Sequence, residues 1–271
     1  MDSTQLIREK YDELTKSEKR VADFVLSAGE KIMYSTMSDL KAATKVGDAT
    51  IIRFCQKLGY SGFSDFKIAV AKENFSKTEL HEESTLYDDM ANHLSDALRA
   101  TAKLIKKDNL RTAVKLMTDA KSIYLFGVGS SGEASLAFES ILLRAGVRAV
   151  AVPDPHFQAQ IASLLTADDL VFGFSLSGRT KDTYDSLHIA QTNGAKIVAI
   201  TNNPLTPIGK LGDVVLQTAI EEFLNGGSVA GRVSQLYICD VLTHEYEITN
   251  HIDAVSLREK VLRAIIDKSI D

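Results

Sequence analysis

Apolar positions recur at helical spacing through the first 77 residues and then change period. A cap at Thr15 or Ser17 opens an expected helix carrying Val21, Phe24 and Val25, and Ser38 opens a short one carrying Leu40, Ala42 and Ala43. Lys45-Val46-Gly47-Asp48 then reads as a tight turn ending in an N-cap aspartate, with a helix from Ala49 to Leu58 behind it. At 100° per residue, Ile51, Phe54, Cys55 and Leu58 share one face, while Arg53, Gln56 and Lys57 share the other. Helix, glycine-containing turn, then helix with a polar outer face is the helix-turn-helix pattern. Its second helix enters a DNA groove, which makes Thr50, Arg53, Gln56 and Lys57 the candidate DNA contacts. A plain solvated helix face is the alternative for Arg53 and Lys57.

From Glu73 to Asp89 the apolar period lapses into a polar, charged stretch. The expected organisation is an all-α domain over 1–77, a linker over 78–87 and a second domain over 88–271. That second domain opens with amphipathic helices at Asp88–Lys106 and Asn109–Asp119. Short β-branched runs then alternate with helical stretches, at Ser122–Gly127, Val147–Pro153, Leu170–Ser175, Lys196–Thr201 and Val214–Thr218. Such alternation predicts a doubly wound α/β domain with a parallel sheet covered on both faces.

Composition narrows the class. With 271 residues, 45% apolar, 25% charged and a net charge of -5, the chain is not of disordered, collagen-like or coiled-coil type. Its longest apolar stretches, around Ile123–Val128 and Ala149–Val152, fall far short of the ~18 residues that span a bilayer. The charged N-terminus does not resemble a signal peptide, and Cys55 and Cys239 cannot form a disulfide framework, so a cytoplasmic protein is expected. Residues 1–77 carry 13 Lys/Arg against 11 Asp/Glu, leaving -7 for the remainder, a tilt in the direction of nucleic acid for the first part. No Cys/His spacing suggests zinc, and neither metal nor cofactor is expected.

Two loops leave the carboxyl ends of expected strands and enter helices: Gly127-Val128-Gly129-Ser130-Ser131-Gly132 and Ser175-Leu176-Ser177-Gly178-Arg179-Thr180. Ligands of open parallel sheets sit outside those strand ends, where helix N-termini offer unpaired N–H groups. Glycines let the backbone approach an anion, and hydroxyls spaced Ser-x-Ser-x-x-Thr can each donate to a phosphate oxygen. The first loop also fits G-x-G-x-x-G, with Asp154 22 residues beyond Gly132, where a dinucleotide enzyme holds its ribose. The second hydroxyl loop, which a dinucleotide fold does not require, weighs against that alternative.

Gly-x-Gly-Ser-Ser and Ser-x-Ser-Gly-x-Thr resemble the sugar isomerase (SIS) domain. Together with Lys16-Ser17-Glu18-Lys19-Arg20-Val21-Ala22 and Gly59-Tyr60-x-Gly62-Phe63-x-Asp65-Phe66-Lys67, they make the chain resemble the RpiR family of bacterial transcriptional regulators. The resemblance implies that Ser131, Ser175, Ser177 and Thr180 hold the phosphate of a phosphosugar, with Ser130 adjacent. The family also places Arg-x-Ser-Gln at the start of a long helix, matched by Arg232-Val233-Ser234-Gln235. Plainer readings stand beside these. Ser130, Ser131 and Thr180 also suit helix capping, and Arg179 and Lys181 solvated first-turn charges. His156 suits a sugar hydroxyl, an acyl group or a structural role. Glu133, Glu221 and Glu222 are either hydroxyl acceptors or surface carboxylates.

The expected function is therefore a DNA-binding regulator, a repressor of sugar-catabolic genes, whose operator affinity answers to a phosphosugar. An N-acetylhexosamine 6-phosphate suits His156 and the Asn225-Gly226-Gly227-Ser228 loop. A phosphosugar isomerase or lyase is the first alternative and an NAD-dependent oxidoreductase the second. Because one small DNA-binding module buries limited DNA surface, a homodimer on operator DNA is expected. The helices at Asp88–Lys106, Ser228–Glu247 and Ala254–Ile266 are candidate interfaces.

Overall fold

A computed structural model describes residues 2–77, 85–219 and 229–266. They fall into two compact units, one running to Asp89 and the other starting at Met90. The first holds five helices: α1 (Ser3–Lys10), α2 (Lys16–Ala28), α3 (Met37–Thr44), α4 (Asp48–Lys57) and α5 (Phe63–Lys77). Their apolar stripes meet in one core, where Phe66 stands edge-on to Phe54 and Tyr60, and Val21, Leu40 and Ile51 fill the space around them. Cys55 is part of this core.

Capping chemistry fixes the helix starts, with two departures from expectation. Thr15 caps α2 in a reciprocal pair with Glu18. The next helix is capped by Thr36, not Ser38, because Asp39 at the third helical position completes the same reciprocal arrangement. Gly47 rather than Asp48 is the N-cap of α4, since the Asp48 carboxylate turns to Lys41 at 3.1 Å. Between α3 and α4, Lys45 takes a left-handed conformation, φ 54°, which costs a side-chain-bearing residue strain that glycine escapes.

The second unit is built on five parallel strands, β1 (Ser122–Phe126), β2 (Val150–Val152), β3 (Asp169–Phe174), β4 (Lys196–Thr201) and β5 (Val214–Gln217), in the order β2-β1-β3-β4-β5. Edge strand β2 is shorter than the expected Val147–Pro153 run, pairing only Val150, Ala151 and Val152 with β1. Its helices are α6 (Leu86–Leu104), α7 (Lys107–Asp119), α8 (Ser130–Arg144), α9 (Pro155–Ala162), α10 (Lys181–Thr192), α11 (Pro207–Leu211), α12 (Val229–Thr249) and α13 (Ala254–Arg263). Helices α7, α8 and α12 bury Leu110, Phe138 and Ile238 on one sheet face, and α9, α10 and α11 bury Ala162, Leu187 and Ile208 on the other. Covering both faces explains why β3 is apolar and buried from Leu170 to Phe174 rather than alternating. Cys239 lies within the α7–α8–α12 core.

Candidate functional site

The strand order reverses between β1 and β3, so their carboxyl ends open a crevice at the switch point of the sheet. Both serine- and glycine-rich loops leave those two strands. In the first, Gly127 has no room for a side chain: a Cβ there would lie 2.9 Å from the Ser131 carbonyl oxygen. In the second, Gly178 adopts φ +63°, and a Cβ would fall 2.0 Å from Thr206 Oγ1. The backbones are therefore drawn in tightly, leaving the hydroxyls and the first-turn N–H groups of α8 and α10 at the crevice.

None of the candidate hydroxyls caps a helix. Gly129 is the N-cap of α8, with Ser130 and Ser131 inside its first turn, and the Thr180 side chain makes no capping bond to α10. Instead, Thr180 Oγ1 and the buried Ser175 Oγ pair at 3.1 Å, and Ser177 Oγ accepts from the Arg179 N–H at 3.2 Å. Ser131 Oγ accepts from Gln235 Nε2 at 3.2 Å. Ser177 and Arg179 are exposed, Ser130 and Thr180 half-buried. These hydroxyls thus share one end of the sheet, Ser175 and Thr180 pairing with each other, Ser177 with a loop amide and Ser131 with a side chain of α12.

His156 is exposed in the first turn of α9. Asp154 caps that helix, accepting from the Phe157 N–H at 3.0 Å, which is its role here in place of a ribose contact. The five-strand order also lacks the second half of a dinucleotide-binding sheet among the described residues. Lys181 pairs with Asp185 one turn on, a surface arrangement. Glu133 is engaged by Arg232, whereas Glu221, Glu222 and the 225–228 loop lie outside the described residues.

Residues distant in sequence complete the crevice. Gln158, fully buried on α9, donates from Nε2 to the carbonyls of Gly127 at 2.9 Å and Val152 at 2.6 Å, clamping the first loop to β2. Arg232 and Gln235, on α12, reach Glu133 and Ser131 in the first turn of α8. Among the described residues, the buried side-chain polar atoms without a partner are Gln158 Oε1, Thr183 Oγ1, Ser234 Oγ and Gln235 Oε1. Gln158 and Gln235 grip the first loop, Ser234 adjoins Gln235, and Thr183 lies in the first turn of α10. Buried polar atoms are ordinarily paired, and where they are not a ligand or water is the usual reason. The Arg232–Gln235 stretch was legible as a motif, but its contacts with α8 span about a hundred residues and left no local signal.

On the other unit, α4 presents a half-buried Thr50 and exposed Arg53 and Gln56, as its periodicity predicts. Arg53 Nε donates to the Ala49 carbonyl at 3.1 Å, which holds its guanidinium along the helix. Lys57 departs from expectation. Its ammonium turns back to Glu18 at 2.7 Å and the Glu13 carbonyl at 3.1 Å, fastening α4 to α2. Burial works to raise the Glu18 carboxyl pKa, but the hydrogen bonds from Lys57 and Thr15 outweigh it and hold the group below its ordinary value. Among the described residues no helix is long and apolar enough to cross a membrane, and no cluster of His, Cys, Asp and Glu could hold a metal ion.

Comparison with known proteins accounts for both units. Residues 1–77 match the family described as a helix-turn-helix domain of the rpiR family, and residues 116–245 match the SIS domain. An HTH-type transcriptional regulator from Haemophilus influenzae is 31% identical over 273 residues, covering 96% of this chain and 95% of that protein. The HTH-type transcriptional regulator RpiR of Escherichia coli K12 is 30% identical over 271 residues, covering 96% of this chain and 91% of its own length. Among solved structures, the Vibrio vulnificus NanR protein complexed with ManNAc-6P superposes with a TM-score of 0.80 at 28% identity, covering 98% of this chain and 99% of that one. With both domains present and full-length relatives at this identity, the chain belongs to the RpiR family of helix-turn-helix transcriptional regulators that carry an SIS domain.

Proposed function

We propose that this regulator binds a phosphosugar in the β1/β3 crevice and changes its operator affinity in response, without turning the sugar over. The observation that carries the proposal is the set of hydroxyls on Ser131, Ser175, Ser177 and Thr180. They lie at the switch point of the sheet and none serves as a helix cap. A phosphate there would take hydroxyl donors, the dipole ends of α8 and α10, and Arg179 at the rim. Ser130 supplies a further hydroxyl and His156 a ring nitrogen for the sugar. An N-acetylhexosamine 6-phosphate is the proposed effector, a choice supported by the ManNAc-6P in the similar NanR structure.

Operator contact falls to Thr50, Arg53 and Gln56 on α4, with Lys57 holding that helix in place. The active form is proposed to be a cytoplasmic homodimer acting as a repressor. Apolar exposure supports a dimer. No residue of α13 is buried, Val255 and Leu262 on it are 76% and 56% exposed, and Leu98, Ile141, Leu236 and Tyr237 line a groove among α6, α8 and α12. The proposed domain limits are 1–77 and 88–271 around a linker at 78–87. A fragment starting near Asp88 is expected to fold alone and keep its sugar phosphate affinity, because the sheet and its covering helices form their own core.

Fluorescence anisotropy on labelled upstream DNA, at one stated salt concentration and with increasing ManNAc-6P, tests the reading. Ser177→Ala removes one charge-assisted donor. The sugar phosphate needed for the response is expected to rise at least tenfold, about 1.5 kcal/mol. A Ser177→Ala protein that answers at wild-type concentrations, or a wild-type protein that isomerises the sugar, overturns it.

A further inference from the structure

We propose that Gln235 is a positioning residue of the effector site: by donating to Ser131 Oγ, it keeps the Ser131 hydroxyl hydrogen free for the phosphate. The inference rests on the reading of the crevice as a phosphate site. A serine hydroxyl has one hydrogen and two lone pairs. Facing a carboxamide oxygen it gives the hydrogen away, and facing a carboxamide N–H it accepts and keeps it. The end of Gln235 turned to Ser131 therefore decides whether Ser131 is a donor or a bystander.

The arrangement around the carboxamide favours that end. Gln235 Nε2 lies 3.2 Å from Ser131 Oγ, and Gln235 Oε1 is buried with no partner. Gln235 is fully buried and Ser131 is 8% exposed, so bulk water does not scramble the arrangement. Reversing the amide would satisfy the oxygen but bury an unpaired N–H, and orphaned buried N–H groups are rarer in proteins than under-satisfied carbonyls. The neighbouring contact works in the same direction. Arg232, one turn before Gln235 on α12, engages Glu133, two residues after Ser131 on α8. That pairing offsets a carboxylate that would otherwise repel an incoming dianion. The two contacts together set α12 against the first turn of α8, with a donor where the anion needs one and a neutralised acid beside it.

The test uses the full chain, isothermal titration with ManNAc-6P, and the variants Gln235→Met, Gln235→Glu, Ser131→Ala and Ser131→Ala/Gln235→Met, each confirmed to unfold cooperatively. Gln235→Met removes the donor at similar length and is expected to weaken binding about fivefold. Gln235→Glu at pH 8 takes the serine hydrogen and adds a negative charge, so a loss on the order of a hundredfold is expected. Measured against wild type at each pH, that loss should shrink below the Met value as pH falls towards 5.5 and the carboxyl, once protonated, can donate again. A purely structural glutamine would not produce such a profile.

In the Ser131→Ala background, Gln235→Met should cost nothing further. The proposal is overturned if that second substitution costs as much without the serine as with it, or if Glu is no worse than Met at pH 8. Should Gln235→Glu fail to fold, the serine cycle decides alone. Wild-type affinity in both Ser131→Ala and Ser177→Ala would instead defeat the phosphate reading itself, a result separable from loss of coupling to Gln235.

Discussion

In the DNA-binding unit, the buried carboxylate of Glu18 accepts from the Thr15 N–H, which closes the start of α2, and from the Lys57 ammonium, which ties α4 to α2. In the SIS unit, Gln158, Thr183, Ser234 and Gln235 bury polar atoms that meet nothing. The difference tracks what each unit recognises. A duplex is met by an outer helix face that is wet until contact, so internal polarity is free to serve rigidity. A small anion is met inside a crevice, where the donors that recognise it must be set in place beforehand, so internal polarity serves the site as well as the core.

The largest expected effect comes from a change that breaks the tight second loop. Gly178→Ala forces a side chain onto Thr206 Oγ1 and Thr201 Oγ1 at a positive φ, and is expected to destabilise the SIS unit by about 3 kcal/mol, measured by urea unfolding. Glu18→Ala attacks the rigid side of the comparison. Losing a charged hydrogen bond and a cap contact should lower the stability of the N-terminal unit by about 2 kcal/mol, moderated because Lys57 is already partly exposed to water.

Acid should act on the same contact. A carboxylate whose folded pKa is depressed stabilises the fold above its unfolded value and loses that stabilisation as pH falls through the folded one. The N-terminal unit should therefore weaken from about pH 4.5 downwards, and the slope should be shallower in Glu18→Gln, as followed by acid titration of helical circular dichroism. Arg53→Ala is expected to weaken operator binding by about 1.5 kcal/mol while leaving sugar phosphate affinity in place, which separates the two surfaces. The smallest effect is a gain: Lys45→Gly relieves the left-handed turn and should stabilise the N-terminal unit by roughly 0.5 kcal/mol in thermal melts.

What the sequence made legible follows from range. The buried face of α4, the Thr15 cap and the strand series rest on neighbours within a few residues, and they appear where periodicity and capping rules place them. The hydroxyl loops are equally local. Lys57 keeps the exposed face the wheel gives it, but its ion pair was not legible, because a helical wheel fixes where a side chain starts while a long flexible stem lets its ammonium return to Glu18, 39 residues earlier. Asp48 looked like a cap because a wheel cannot show Lys41 waiting across the turn. Gln158, Arg232 and Gln235 act at the site across 31, 99 and 104 residues, and contacts of that span exist only once the sheet has formed.

Each core also encloses one thiol, Cys55 in the N-terminal unit and Cys239 in the SIS unit. Burial pushes the Cys55 thiol up to about 12 and the Cys239 thiol well above its ordinary value, so neither reacts while its unit is closed. An alkylating reagent can then label each site only during opening, and the two modification rates become separate clocks for the two halves of one chain. Operator DNA should slow the first clock and sugar phosphate the second. A ligand that slows both would show, without any engineered probe, that the two halves open together.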